Sequence, residues 1–491
     1  MRSGGRVVPG DFDAQKVLID WKDAVGFTIA DAQTGVAVFG ATGSGKTSGP
    51  GQLLARAYLK AGFGGLVLCA KAEERGIWEG LAAETGRSGD LIRVDAGGGA
   101  RFNFLDWEAS RAQEGAGFAI NVVALLDEIA GTIDTGTGTS NSDGGGDNAF
   151  FRSAHRHLIT NLVELPMLAG LPVSLPLMRA VANSAPLSLA QRDDPDWQKA
   201  SACWRILREA EAATKGNAEA ERDFAECRSY FEMDFPALSD RTRGVITLMF
   251  AVLVRPFITR PLRRLFSEDT TVTPEDTFKG KIIIVDLPVQ EYRLAGRVAA
   301  LAWKWCFQIC VMRRQAAPGY RRPVFLWADE CQYFVTERDA EYQAVARSAG
   351  GCTVYLTQQR EGIRRVLKSD DATENLLANL QTKFFCQNSG ETNKWAADLL
   401  GERYIKITST NVGRSGQPGS DGMISDASGQ AGIQRSEQRR YFIEPSRFTT
   451  LKRGGPANEF QVEAVAYCGG KLFSQGAAEP LPYKLLTFRQ R

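Results

Sequence analysis

Among 491 residues there is no C-x-x-C pair, and the two histidines, His155 and His157, stand two positions apart. Neither a zinc ribbon nor a thioredoxin-like motif is expected from such a chain. On a helix, residues at i and i+2 point to different faces, so the histidines read as surface or core residues rather than a metal pair. The nine cysteines are scattered from Cys69 to Cys468. Cys306 and Cys310, one helical turn apart in an apolar stretch, read as core packing, and reduced cytosolic thiols fit the pattern. No uncharged apolar run reaches the ~20 residues of a membrane helix. The nearest, Leu294 to Met312, is broken by Arg297 and Lys304. The opening MRSGGRVVPGDFDAQK has no apolar stretch, so no signal peptide is expected. Net charge is only +2, so any nucleic-acid surface must be local rather than global. What remains is the composition of an ordinary folded protein, long enough for two or three domains.

The feature around which the chain is organised is Val36-Ala-Val-Phe-Gly-Ala-Thr-Gly-Ser-Gly-Lys-Thr47. It reads as an apolar strand, a glycine-rich loop and a helix start, and it fits G-x-x-x-x-G-K-[ST]. Gly40, Gly43 and Gly45 let the backbone turn its N–H groups inward around a phosphate. The following helix adds its positive dipole end at the same point. Lys46 has the reach for β- and γ-phosphates, and the Thr47 hydroxyl suits Mg²⁺. The expected ATP cradle is Gly40, Thr42, Gly43, Ser44, Gly45, Lys46, Thr47 and Ser48.

Before this loop, residues 1–35 read as short strands with turns between. After it, 51–60 reads as a helix with Leu53, Leu54, Ala57 and Tyr58 on one face. Gly64 to Lys71 is a second buried strand ending in a charged turn, Lys71-Ala-Glu73-Glu74. A helix to about Thr85 and the strand Leu91 to Asp95 follow. Alternating strands and helices imply a parallel sheet with right-handed crossovers, with ligands at the strands' carboxyl ends.

From about Gly115 to Ser239 the pattern is helical, as expected of an all-helical insertion. Within it, 131–148 is a polar loop expected to be mobile, and Trp204 to Tyr230 reads as one amphipathic helix. The sheet resumes at 280–286, followed by a long helix from Tyr292 to Arg314. Next comes Pro323-Val-Phe-Leu-Trp-Ala-Asp329-Glu330. An apolar strand ending in Asp-Glu is a weak signal alone. Paired with the phosphate loop, it offers Asp329 for Mg²⁺ and Glu330 to polarise an attacking water. A helix to Ala349 and the strand Cys352 to Thr357 then lead to Gln358. That residue either faces the γ-phosphate or caps a backbone group. Arg364, Arg365 and Lys368 follow in what reads as a basic turn. They form either a DNA contact or a solvated basic surface. Residues 408–438 are rich in Gly and Ser and read as an extended or disordered excursion. The tail returns with a strand at 460–467.

The order of these motifs resembles one family, the type IV coupling proteins of conjugation and secretion (TraG/TraD-like), within the FtsK/HerA branch of P-loop ATPases. The resemblance rests on FGATGSGKTSG, VLCAKAEE, RFNFLDW, the helical insertion, FLWADE, ARSAGG followed by YLTQQ, NLQTKFFCQNSGETNKWAADLLG and EPSRFTTL. It implies an α/β fold: a RecA-like domain with a mainly parallel sheet flanked by helices, built from 1–110 and 241–491, plus a helical insertion at 111–240. It also implies a homohexamer that hydrolyses ATP with Mg²⁺ and translocates DNA, or delivers relaxosome or effector proteins, to a membrane secretion channel. Lys46 and Thr47 match the family's phosphate-loop pair, and Asp329 and Glu330 its Mg²⁺ and water-activating pair. Arg347 falls at the arginine that reaches a neighbour's nucleotide, and Gln358 at the γ-phosphate-sensing Gln. Against Arg347's role stands a plain surface ion pair with Glu341 or Glu337.

Two departures accompany the resemblance. The family's Asp-x-Lys-Gly-Glu turn appears here as Cys69-Ala-Lys71-Ala-Glu73. No N-terminal membrane segment is seen, so a cytoplasmic protein that docks peripherally at the inner membrane is expected. A non-motor adaptor that recruits nucleoprotein through the helical insertion, or a HerA-like cytosolic translocase, is the alternative.

Overall fold

The computed structural model describes residues 12–21, 26–112, 115–136, 146–314, 322–415, 428–473 and 480–490. Thirteen strands occur among them: β1 (Val17–Ile19), β2 (Phe27–Thr28), β3 (Val36–Phe39), β4 (Gly64–Leu68), β5 (Leu91–Asp95), β6 (Ile282–Asp286) and β7 (Val324–Ala328), then β8 (Gly351–Thr357), β9 (Thr382–Phe385), β10 (Glu402–Ser415), β11 (Ser428–Tyr441), β12 (Gln461–Cys468) and β13 (Tyr483–Arg489). Nine build one sheet in the order β13-β12-β9-β3-β8-β7-β4-β6-β5. The seven strands from β9 to β5 run parallel, while β12 is antiparallel to both of its neighbours.

The sequence of the central strands dictates this arrangement. VAVF, GGLVL, IIIVD, VFLWA and GCTVYLT are buried at every position. Near-continuous apolar runs demand cover on both faces, which parallel sheets obtain from their crossover helices. Two cores result. One holds Val38, Leu54, Tyr58, Phe63 and Trp78; the other holds Phe39, Leu66, Trp303 and Leu326 and continues into the helical unit. The mainly parallel α/β fold expected from the sequence is therefore present. On the helix after the phosphate loop (Gln52–Lys60), Leu54, Ala55, Tyr58 and Leu59 are the buried residues, so the apolar stripe is turned slightly from the face read in the sequence.

Between β5 and β6 the chain leaves the sheet and forms a helical unit from Phe104 to Phe266. Its two ends are pinned together: Phe104 packs on Phe257 at 5.5 Å and on Phe266 at 5.7 Å between ring centroids. Helical packing runs past residue 240, because Ile246, Phe250 and Leu253 of the helix Asp240–Val254 are buried in the same core as Leu158 and Leu162. The stretch 204–230 is two helices, Ala202–Thr214 and Ala218–Ser229. Gly216 separates them with φ +89°, a conformation that costs glycine little. The core of the polar loop, 137–145, lies outside the described residues, and both its flanks are helical. Ion pairs Arg313–Glu108 and Arg338–Glu128 tie the helical unit to the sheet domain.

Two further differences concern the second half. The expected basic turn is a helix, Arg360–Leu367, that stops at Lys368 with φ 53°. The expected excursion is an antiparallel hairpin, with β10 paired to β11 from Glu402↔Tyr441 to Ser415↔Ser428. The alternating β-branched residues Ile405 and Ile407 support the pairing; residues 416–427 lie outside the described residues. All nine cysteines are buried and unpaired. Among the described residues, no helix is long and apolar enough to cross a membrane.

One buried ion pair stiffens the region behind the candidate site. Lys304, in the long helix Val289–Arg313, meets Asp339 at 2.7 Å with both side chains essentially inaccessible. Gln308 and Tyr355 also donate to Asp339, and Lys304 donates to the Phe334 carbonyl. Removing one member strands the other's charge in the core. Asp339→Ala should therefore cost about 3–5 kcal/mol, read as a lowered urea midpoint. A midpoint within experimental error of wild type would show that the pair adds nothing.

Candidate active site

The site lies where β3, β7, β8 and β4 end, along the carboxyl edge of the sheet. Neighbouring parallel strands bring residues distant in sequence to one line: Leu68 pairs with Ala328, and Phe39 with Thr357. The loop after β3 is held at its base, where Gly40 N–H donates to Thr357 O and Ala41 N–H to Gln387 O. A Cβ on Gly40 would meet Ser44 Oγ at 2.3 Å. Gly43 and Gly45 take φ of +73° and +84°, which tightens the loop into a cradle. Ser44 Oγ is buried with no hydrogen-bond partner among the described residues. An orphaned hydroxyl inside a cradle of this shape fits a phosphate oxygen. Lys46 and Thr47 open the following helix.

On the opposite wall, Asp329 and Glu330 follow β7. Glu330 sits in the left-handed region (φ 47°, ψ 48°), a strained conformation for this residue type. Its N–H donates to Asp329 Oδ1 at 2.8 Å, which fixes the two carboxylates relative to each other. The two walls meet. Lys46 Nζ donates to Glu330 Oε1 at 3.2 Å, and the Thr47 hydroxyl donates to Asp329 Oδ2. Gln358, at the end of β8, donates to Glu330 Oε2 at 3.4 Å.

Three further residues converge here that reading the motifs does not single out for this site. Lys71, three positions beyond β4, donates to Glu330 Oε1 at 2.9 Å. Gln332 donates to Glu330 Oε2 at 2.9 Å and accepts from the Thr357 hydroxyl. Gln490, beyond β13, donates to Ser48 Oγ at 2.8 Å. The signal for Lys71 is its place at the end of a buried parallel strand, on the edge where ligands bind. Gln332 and Gln490 carry no sequence signal of their own.

Burial alone pushes the Glu330 carboxyl up. The Gln332 hydrogen bond and the ammonium groups of Lys46 and Lys71 outweigh burial and hold it at about 2. At neutral pH it is a carboxylate. Glu74 behaves oppositely: burial, reinforced by the charge of Asp329, pushes its carboxyl well up, although the N–H groups of Ala70 and Lys71 bond to it.

The structure thus gathers Lys46, Thr47, Glu330 and Gln358 into one cleft, lined also by Thr42, Gly43 and Ser48, with Asp329 bonded to Thr47 beside it. It does not bring Arg347 there. Arg347 is exposed where the helix Arg338–Ala346 ends, before β8 begins, and it pairs with neither Glu337 nor Glu341. Arg364, Arg365 and Lys368 are also outside the cleft, exposed at the far end of the helix after Gln358; Arg364 is bonded to Asp370.

A phosphate cradle after β3, paired acidic residues after β7 with β8 between the two strands, and a mainly parallel sheet define a RecA-like P-loop fold with an inserted helical unit. Within that class the fold is similar to that of conjugative coupling proteins of known structure. The bacterial conjugative coupling protein TrwBdeltaN70, unbound, matches with a TM-score of 0.58 and 15% identity over 99% of this chain and 93% of its own. TrwB in complex with the non-hydrolysable GTP analogue GDPNP matches with a TM-score of 0.57 and 14% identity over 100% of this chain and 94% of that one. TrwB in complex with ADP and Mg²⁺ gives 0.55 and 14%, over 100% and 92%. Residues 323–453 match the family described as the TraM recognition site of TraD and TraG. No curated protein matches the chain significantly in sequence. The resemblance to coupling proteins read from the sequence is borne out by the fold and by this segment.

Proposed function

We propose that this chain is an ATP-hydrolysing motor of the coupling-protein type. The observation that carries the reading is the meeting of Lys46 and Thr47 with Glu330 and Asp329 in a coupling-protein fold. Lys46 leaves Glu330 for the β- and γ-phosphates when ATP enters. Glu330, ionised at neutral pH, orients the attacking water and draws off its proton. Gln358 holds its amide beside the transferred phosphoryl. Thr47 and Asp329 are the residues that would hold Mg²⁺, which when bound offsets charge on the phosphate oxygens.

The assembly proposed is a homohexamer in which Arg347 serves the neighbouring subunit's site. Hydrolysis drives DNA, or nucleoprotein and effector cargo, toward a membrane secretion channel, with the protein docked from the cytoplasmic side. The TraM-recognition match at 323–453 supports docking of a relaxosome protein on the same chain.

The test is ATP turnover with and without DNA. Stimulation by DNA is expected; an ATPase indifferent to every DNA form would instead favour the adaptor. Replacing Arg364, Arg365 and Lys368 together by Ala should weaken DNA binding and flatten the slope of log K against log salt by about 2–3, close to one for each phosphate no longer neutralised. An unchanged slope would leave the trio a solvated surface.

A further inference from the structure

Glu330 Oε1 accepts from two ammonium groups at once, Lys71 at 2.9 Å and Lys46 at 3.2 Å. Only one of these lysines has another task. Lys46 belongs to the phosphate loop, and bound nucleotide would draw it away. Lys71 belongs to the turn after β4, which is fixed independently of the loop. Its backbone N–H donates to Glu74 Oε1 at 3.1 Å, and the neighbouring Ala70 N–H donates to Glu74 Oε2 at 3.2 Å. On the other side Gln290 N–H donates to the Ala70 carbonyl at 3.1 Å. The buried Glu74 therefore clamps the turn, and the turn aims Lys71 at Glu330.

We propose that Lys71 is a positioning residue for hydrolysis, which keeps Glu330 aimed at water when Lys46 transfers to the phosphates. The inference rests on the hydrolytic reading of the site. With Lys46 gone, a carboxylate only 4% exposed would otherwise lose both of its cations and swing freely in a left-handed, strained segment. Lys71 occupies Oε1 throughout, while Oε2 keeps the neutral donors Gln332 and Gln358. One oxygen is thereby anchored by charge and the other is held among amides that a water can replace. The Lys71 ammonium is disfavoured by burial, but Glu330, with Asp329 and Glu74, outweighs this and keeps it charged.

The experiment compares wild type, Lys71→Met and Lys71→Arg in the full chain. Steady-state ATP hydrolysis is measured for kcat and KM, and binding of a non-hydrolysable ATP analogue is measured separately. Lys71→Met should lower kcat about 10- to 100-fold, part of the ~10²–10⁴ that general-base catalysis supplies. KM and analogue affinity should change by less than about threefold, because the bonds of Lys71 run to Glu330 and Glu74 rather than to the phosphate loop. Lys71→Arg should recover most of kcat. An unchanged kcat would overturn the proposal. So would a faster Lys71→Met enzyme, which would make Lys71 a restraint on Glu330. Parallel loss of analogue binding in both variants would reduce Lys71 to a structural role. A wild type that binds the analogue but does not hydrolyse ATP would remove the hydrolytic reading itself, and this inference with it.

Discussion

Glu330→Gln should bind ATP at least as tightly as wild type and hydrolyse it about 10²–10⁴ times more slowly. The amide matches the carboxylate in shape and keeps an oxygen for Lys71 and Lys46. It has no negative charge to draw a proton from water. Binding is preserved because Lys46 now gives up only a neutral hydrogen bond, rather than an ion pair, when it turns to the phosphates. Lys46→Ala should show the opposite pattern, weak binding from loss of its hold on the phosphates. Titration with a fluorescent ATP analogue and a phosphate-release assay separate the two effects. Turnover by Glu330→Gln at the wild-type rate would mean that another group activates the water.

Arg347→Ala should lose about 10³–10⁵ in rate, the range for arginine fingers, although Arg347 is remote from its own subunit's phosphate loop. β8 runs from Gly351 to Thr357, and Thr357 abuts the loop. At 3.3 Å per residue the strand alone puts about 20 Å between its start, near Arg347, and the site. The exposed guanidinium is therefore out of reach of its own nucleotide, as the shared-site proposal requires. Arg347→Ala and Lys46→Ala proteins should each be nearly inactive alone. In mixed rings some interfaces would pair an intact phosphate loop with an intact arginine, and activity should return in part. Verified mixed assemblies with no recovery, or a wild-type rate for Arg347→Ala alone, would end the shared-site proposal.

What is legible in the sequence is whatever is set by neighbours along the chain. The strand-loop-helix at 36–60 and the run ending in Asp329 and Glu330 carry their chemistry within a dozen residues. Their place on the carboxyl edge follows from the alternation of strands and helices alone. Lys71 is less legible because its role depends on β4 lying beside β7, a pairing that no local pattern encodes. Gln490 reaches Ser48 only because β12 and β13 close the edge of the sheet. Helical period cannot separate 202–214 from 218–229, since both halves are amphipathic and a lone Gly216 inside a helical pattern is tolerated. At 402–441 the Gly and Ser content masks an alternation that pairs two strands. The end of the helical unit is hidden for a related reason. The helix Asp240–Val254 is apolar enough to read as either core, and only its packing shows which one it joins.

The two walls of the site come from distant parts of the chain. Lys46 and Glu330, in contact, are 284 residues apart in sequence. At ~5–20 residues per second, a ribosome that has made the phosphate loop needs about 15–60 s more to deliver its acidic partner. During that time β3 has neither of its sheet neighbours, since both β8 and β9 lie still further on. The nascent apolar strands of the first hundred residues must wait, exposed, while the helical unit is synthesised and packs. Folding of this domain is thus bound to be late and slow, and truncated products that stop before Gly351 should be chaperone clients rather than partial enzymes.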